Sequence, residues 1–246
     1  EKDQEYQILL RWSSRSGDRK YQEFWKHYSK NIKSGVIEDA SNRNKLKKLL
    51  RFNTNKSPDT LVSFEDYIEN MQEGQEYIYY FAGEQVKSMK ESPLIQKLDQ
   101  MGYEVILLDD AIDEYVFSYI KEYDSYNLKH AARGELDLGP VSEYDEQKEK
   151  SLKELFKPLT DWWKQVLGNE VERVTLSRRL VEDPVVIRVA ETGYTANMYK
   201  IAKAQAYANQ KNIPQHYLPK KTLEVNPGHP SIKKMLKMHE LNSEDP

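Results

Sequence analysis

The sequence predicts an α/β fold, with a βαβ layer unit in a first domain and a smaller mixed α/β domain after it. Three observations carry this. An aromatic and β-branched run at 75–83, a helical stretch, and a second apolar run at 103–110 follow one another as strand, helix, strand, the order that brings two parallel strands together. Alternating segments at 171–180, 184–190 and 222–227 then flank an amphipathic stretch at 192–207. Between these regions, RGELDLGPVSE at 133–143 gathers glycine, proline and polar residues, the composition of a domain boundary. The domains are therefore placed at 1–140 and 141–246, in keeping with a chain of 246 residues and a usual domain size of about 100–200.

The elements follow in order. The first segment is helical, with Phe24, Tyr28 and Ile32 on one face and Ser34-Gly35 ending the pattern. A second helix follows Asp39, with Leu46, Leu49 and Leu50 on one face. FNTNKSPDT at 52–60 reads as a loop, and Ser63 as the N-cap of the short helix FEDYIENM. Residues 84–90 and the stretch after Pro93 supply helices between the two central strands, and Gly102 ends the second. IDEYVFSYI at 112–120 is another short helix. A long helix covers 144–167, where Pro158 should kink or restart it and Gly168 caps it. The strands at 171–180 and 184–190 are joined by a turn holding Glu182, Asp183 and Pro184. KNIPQHYLPKK at 211–221 reads as a loop. A last helix covers 230–241, with Ile232, Met235, Leu236 and Met238 as its apolar residues.

Composition narrows the function. Lys plus Arg is 37 and Asp plus Glu is 40, for a net charge of −3. So balanced a chain lacks the field that attracts nucleic acid. The basic run RNKLKK at 43–48 has leucines at helical spacing and no aromatic platform, and reads as a solvated helix face. No apolar run approaches the roughly 20 residues that span a bilayer, and neither a signal peptide nor a C-terminal retention tetrapeptide is visible. The absence of cysteine excludes thiol nucleophiles and disulfides. The 17 tyrosines suit half-buried margins and contact surfaces alike.

No motif carries chemistry. A Gly-rich phosphate loop is missing, and the turn after the first central strand, AGEQVKS, lacks the glycine spacing of a nucleotide site. His27, His130, His216, His229 and His239 form no H-x-x-x-H or H-E-x-x-H pair, so no metal is expected. No serine lies in a G-x-S-x-G elbow. Asn55-Lys56-Ser57 is a glycosylation sequon, although Pro58 follows it. The helix around 194–205 has the most distinctive surface. Tyr194, Met198, Ile201 and Gln205 share a face, a pattern that serves core packing as well as adaptable apolar contact.

Six blocks, in order, resemble the heat-shock protein 90 family of chaperones. They are GVIEDASNRNKLKKLLRF at 35–52, YIENMQEGQEYIYYFAG at 67–83, GYEVILLDDAIDEY at 102–115, SRRLVEDPVVI at 177–187, TANMYKIAKAQAY at 195–207 and LEVNPGHPSIK at 223–233. KAQAY, a long spacer and then KKTLEVNPGHP resemble the endoplasmic-reticulum branch of the family, which implies the reticulum lumen rather than the cytoplasm. The resemblance implies the distal part of the family's middle domain followed by its C-terminal domain. It implies a chaperone segment that binds partly folded client proteins and works with cochaperones. It places ATP, magnesium and a homodimer in the full-length protein. The segment itself is then expected to need no cofactor, to hydrolyse no ATP and to be a monomer or weak dimer. The family's client-contacting positions fall on Glu114 and Tyr115, read as exposed, and on Tyr194, Met198, Ile201 and Ala202. Ala202 is smaller than the family usually has, and Asp110 replaces a common proline. A structural or cochaperone-docking module without client contact is the other reading.

Overall fold

The structure is a computed structural model and describes residues 2–13, 19–136, 142–190, 194–208 and 220–241. The chain divides into two compact units, Glu1–Glu91 with Leu98–Ala131 and Ser92–Lys97 with Ala132–Pro246.

The first unit opens with helices α1 (Lys2–Ser13) and α2 (Arg19–Glu38). Helix α2 runs through Ser34-Gly35 instead of stopping there. Gly35 works as a packing residue: a Cβ there would lie 3.0 Å from Leu46 Cδ1. Its buried face is Tyr21, Trp25, Lys33 and Val36, while Tyr28 is exposed. The expected face of Phe24, Tyr28 and Ile32 is thus displaced around the helix, because Lys33 turns inward to meet two carboxylates of a later segment. A short helix α3 (Arg43–Leu46) and a 3₁₀ turn (Lys47–Leu49) follow. Asp39 holds their approach through Ser41 and Asn42.

Strand β1 (Asn53–Thr54) lies where a loop was expected. Tertiary bonds make it a strand: Thr54 Oγ1 donates to Glu104 at 2.6 Å, and Asn55 Nδ2 donates to Asp99 at 2.7 Å. Helix α4 (Phe64–Glu69) begins at the expected cap, with Ser63 and Asp66 satisfying each other's backbone N–H groups. Strand β2 (Tyr77–Ala82), helices α5 (Val86–Lys90) and α6 (Gln96–Gln100), and strand β3 (Val105–Leu108) form the predicted βαβ order, and β2 and β3 are parallel. Helix α7 (Asp113–Ile120) leads into strands β4 (Glu122–Tyr123) and β5 (Tyr126–His130), which sequence reading had passed over. Asp124 and Ser125 between them both have positive φ, as a two-residue hairpin turn requires. The sheet order is β1-β3-β2-β5-β4, with β5 parallel to β2.

All four residues of β3 are buried, as befits a strand covered on both faces. Tyr67 ties the sheet to α4: its hydroxyl donates to the Glu104 carbonyl and accepts from Gln75 and the Tyr79 N–H. Phe52, Phe64, Phe117 and Tyr123 form one aromatic cluster, with Phe52 edge-on to Phe64 and Phe117 and with Tyr123 stacked on Phe64.

In the second unit, helix α8 (Glu143–Leu167) begins at an Ser142 cap and continues unbroken through Pro158, so the expected restart does not occur. Gly168 ends it at φ 53°. Strands β6 (Arg173–Leu176) and β7 (Val185–Val189) do not pair with each other. Helix α9 (Ala196–Ala208) comes next, then strand β8 (Lys221–Val225), which enters between β6 and β7. It is parallel to β6 and antiparallel to β7. Helix α10 (Pro230–Leu241) buries Ile232 and Leu236 but leaves Met238 exposed. These two, Phe156, Leu159 and Val225 form the core, with Val174, Leu176 and Leu223 against it. The opposite sheet face is polar. There Glu224 accepts from Ser177 and from two buried arginines, Arg179 and Arg188. Residues 137–141, in the expected boundary, and most of the expected loop 211–221 lie outside the described residues.

Candidate functional site

The sequence-selected residues fall on two helices, one in each unit. On α7, Asp113, Val116, Phe117 and Ile120 face inward. This phase is set by burial of the apolar Val116, Phe117 and Ile120, with Asp113 one turn earlier on the same face. It leaves Tyr115 half-buried and turns Ser118 and Tyr119 outward. Glu114 is only 2% exposed, so its expected exposure is corrected. Its carboxylate lies 3.4 Å from His130 Nε2 at the end of β5, which also packs edge-on to Tyr80. An imidazole is a good neighbour for a buried carboxylate because protonation makes the contact an ion pair.

Asp113 stands one residue earlier, 2.6 Å from Lys33 Nζ. Burial pushes its carboxyl up to about 6, and the Lys33 charge offsets only part of that effect. Asp110, in the turn before α7, accepts from the Asp113 N–H through its carbonyl and reaches Lys33 at 3.4 Å. Asp110 thus adds a second carboxylate to the lysine. Tyr119, which sequence reading did not select, is the more exposed ring of α7, and the Arg43 guanidinium lies 5.2 Å from its centre. The i+4 step from Tyr115 was the available signal.

On α9 the face begins at Tyr194, half-buried just before the helix. Thr195 caps it: its hydroxyl accepts from the Met198 N–H at 3.1 Å. Met198 is 7% exposed and its sulfur lies 3.5 Å from an Arg133 nitrogen. Ile201 and Ala202 are half-buried, and Lys200 and Lys203 are exposed. The stripe therefore anchors the helix through Met198 and leaves Tyr194, Ile201 and Ala202 at the solvent margin. The Gln205 side chain lies outside those described.

Gly83, after β2, is not a phosphate cradle: a Cβ there would meet Met89 Cγ at 2.7 Å, so the missing side chain makes room for Met89. Among the described residues no three His, Asp or Glu side chains cluster to hold a metal ion, and no helix is long and apolar enough to cross a membrane. The Asn55 sequon is folded in. Asn55 is 2% exposed, its amide donates to Asp99 and the Tyr103 carbonyl, and its oxygen accepts from the Val105 N–H.

Comparison with known proteins identifies the setting. The family model described as Hsp90 protein matches residues 5–246. An endoplasmin homolog of Hordeum vulgare is 41% identical over 217 residues, which is 87% of this chain and 26% of that protein. One of Caenorhabditis elegans is 40% identical over 228 residues, covering 92% and 30%. One of Arabidopsis thaliana is 39% identical over 216 residues, covering 87% and 26%. The chain thus spans between a quarter and a third of the length of these relatives. A match over nearly every residue, with these relatives, means that the chain belongs to the Hsp90 family and is similar to its endoplasmin-type members.

Proposed function

We propose that this chain is the client-facing segment of an ATP-driven Hsp90-type chaperone. The observation that carries the reading is the margin of α9. Tyr194, Ile201 and Ala202 remain half-exposed beside the buried Met198, giving a shallow apolar surface that can meet varied partners. Tyr115 on α7 is the matching candidate in the first unit, and Glu114 supports it from below instead of touching a client. ATP hydrolysis with magnesium, homodimerisation and cochaperone contacts are assigned to the whole protein, and the segment alone to a monomer or weak dimer. The relatives' name supports the endoplasmic reticulum, and the lumen is the proposed side.

The test uses the full-length protein with Tyr115→Ser, Tyr194→Ser and Ile201→Ser together. The variant should lose most of its suppression of client aggregation while its circular dichroism melt is unchanged. Undiminished suppression with an intact fold would sink the proposed surface. The burial of Glu114 and Met198 favours a second reading, a structural or cochaperone-docking module. Hydrogen exchange with an unfolded client separates the two: client contact should protect amides in α7 and α9, and a docking module should show no such protection.

A further inference from the structure

Strand β7 is one edge of the second sheet, and its apolar face is poorly covered. The register pairs Val185 with Val225 and Ile187 with Leu223. Cross-strand partners share a face, so Val185 and Ile187 lie on the side against which α8 and α10 pack. The core there holds Val225, with Leu223 against it, but neither of the two β7 residues. Val185 remains 38% exposed and Ile187 52%. The helical layer covers β6 and β8 and stops short of β7.

The backbone of β7 is open at the same place. In an antiparallel pair, alternate residues bond the partner strand and the others point outward. Pro184 and Ala190 mark the bonded phase: the first accepts from the Asn226 N–H and the second donates to the Lys220 carbonyl. Val185, Ile187 and Val189 therefore aim their N–H and C=O groups away from β8. At Val189 these groups are filled, since its N–H donates to Ala132 and its carbonyl accepts from Gly134, with Arg133 as the parallel bridge residue. Extended chain is thus already seated on one end of this edge. Among the described residues no such bond reaches Val185 or Ile187. Edge strands are usually blunted by an exposed charge, as the opposite edge strand β6 is by Arg173. The charged residue of β7, Arg188, is instead turned to the other face and buried on Glu224.

We propose that the outer edge of β7 takes up an extended segment of another polypeptide as an added strand, with apolar side chains at alternate positions against Val185 and Ile187. Size argues against a second copy of this chain. Two residues of open backbone and two side chains fall far below the roughly 800 Å² per partner of a stable dimer. Charge sets the ends of the segment. Glu182 is exposed just before β7, and Lys221, the cross-strand partner of Val189, is exposed at the far end. A basic residue beside the first and an acidic residue beside the second complement them. The edge uses no residue of the α7 and α9 surface, so the two readings stand or fall separately.

Titration of the 1–246 chain into a fluorescent peptide of alternating valine and threonine tests this by anisotropy. The peptide carries lysine at one end and glutamate at the other, and is made in both orders. Saturable binding with a Kd of about 100 μM or tighter is expected for at least one order. The fully N-methylated peptide keeps the side chains but has no backbone donors, and should bind about tenfold more weakly or worse. Ile187→Pro removes one outward N–H at a position that bonds nothing in β8, where an edge strand tolerates proline, and should weaken binding by about the same factor. Ile187→Thr keeps the donors and the melting temperature and should weaken binding about threefold. Hydrogen exchange should slow at the Val185 and Ile187 amides when the peptide is bound. Absence of saturation up to about 1 mM overturns the proposal. So does equal affinity for the N-methylated peptide, or a dimer of the chain that Ile187→Thr abolishes.

Discussion

Asp113 shows what one buried carboxylate does to this chain. Its folded pKa of about 6 lies above the roughly 3.9 of an unfolded aspartate. As pH rises from about 4 to 6, the unfolded chain releases this proton first, so the native state holds more protons across that window. The contribution of Asp113 to stability therefore falls as pH rises through the window and stays reduced above it. Glu104, also raised by burial, acts in the same sense. Asp113→Asn should remove the Asp113 part of the slope, leaving Lys33 its contact with Asp110. Urea unfolding at pH 4.5, 5.5 and 7 checks this: the difference between wild type and variant should shift toward the variant as pH rises, and a pH-independent difference would contradict the assignment. Such a residue could be selected from the sequence by motif, but its state could not. Glu114 and Asp113 stand in the first turn of a helix, where acidic residues favour solvent and the helix dipole. Their burial depends on Lys33 and His130, which are 80 and 16 residues away in the chain and are brought close only by folding.

Helix and strand positions were legible wherever local signals agreed. Ser63 and Asp66 announced α4, and the apolar runs announced β2 and β3. Beta 5 was missed because YNLKH mixes polar and apolar residues and its strand character comes from pairing with β2. Gly35 read as a stop, yet α2 runs through it and the glycine serves close packing against Leu46, whereas Gly83 follows the end of β2 where the apolar run stops and also leaves room for Met89. Gly83→Ala should destabilise by about 1–3 kcal/mol, because Met89 is buried and its Cγ would have to move from a 2.7 Å contact. In a Met89→Ala background the same change should cost little. A double-mutant cycle by urea unfolding measures the coupling; additive effects would show that Gly83 is needed for its backbone and not for the space it leaves.

Across the whole chain, each unit has its own apolar cluster, one around Phe64, Phe117 and Ile106 and one around Phe156, Leu159 and Val225. Phe156→Ala should remove about 3–5 kcal/mol from the second cluster. Native-state hydrogen exchange should then show lost protection in β6, β8 and α10, with β2 and β3 keeping theirs; equal loss in both would refute separate cores. What the sequence alone determined is the α/β class, the βαβ order, most helices and the family resemblance. These rest on local periodicity, capping and ordered motifs, which short stretches of chain carry by themselves. Tertiary structure alone decided that β8 enters between β6 and β7, that β5 joins β2, and which of the selected residues reach solvent. It also decided that Glu114 and Met198, chosen as contact residues, are buried. Strand partners and side-chain exposure are set by contacts between segments far apart in sequence, and no local pattern records those. The Glu224 network is the clearest case, since three charges from three segments acquire their meaning only when the sheet closes around them.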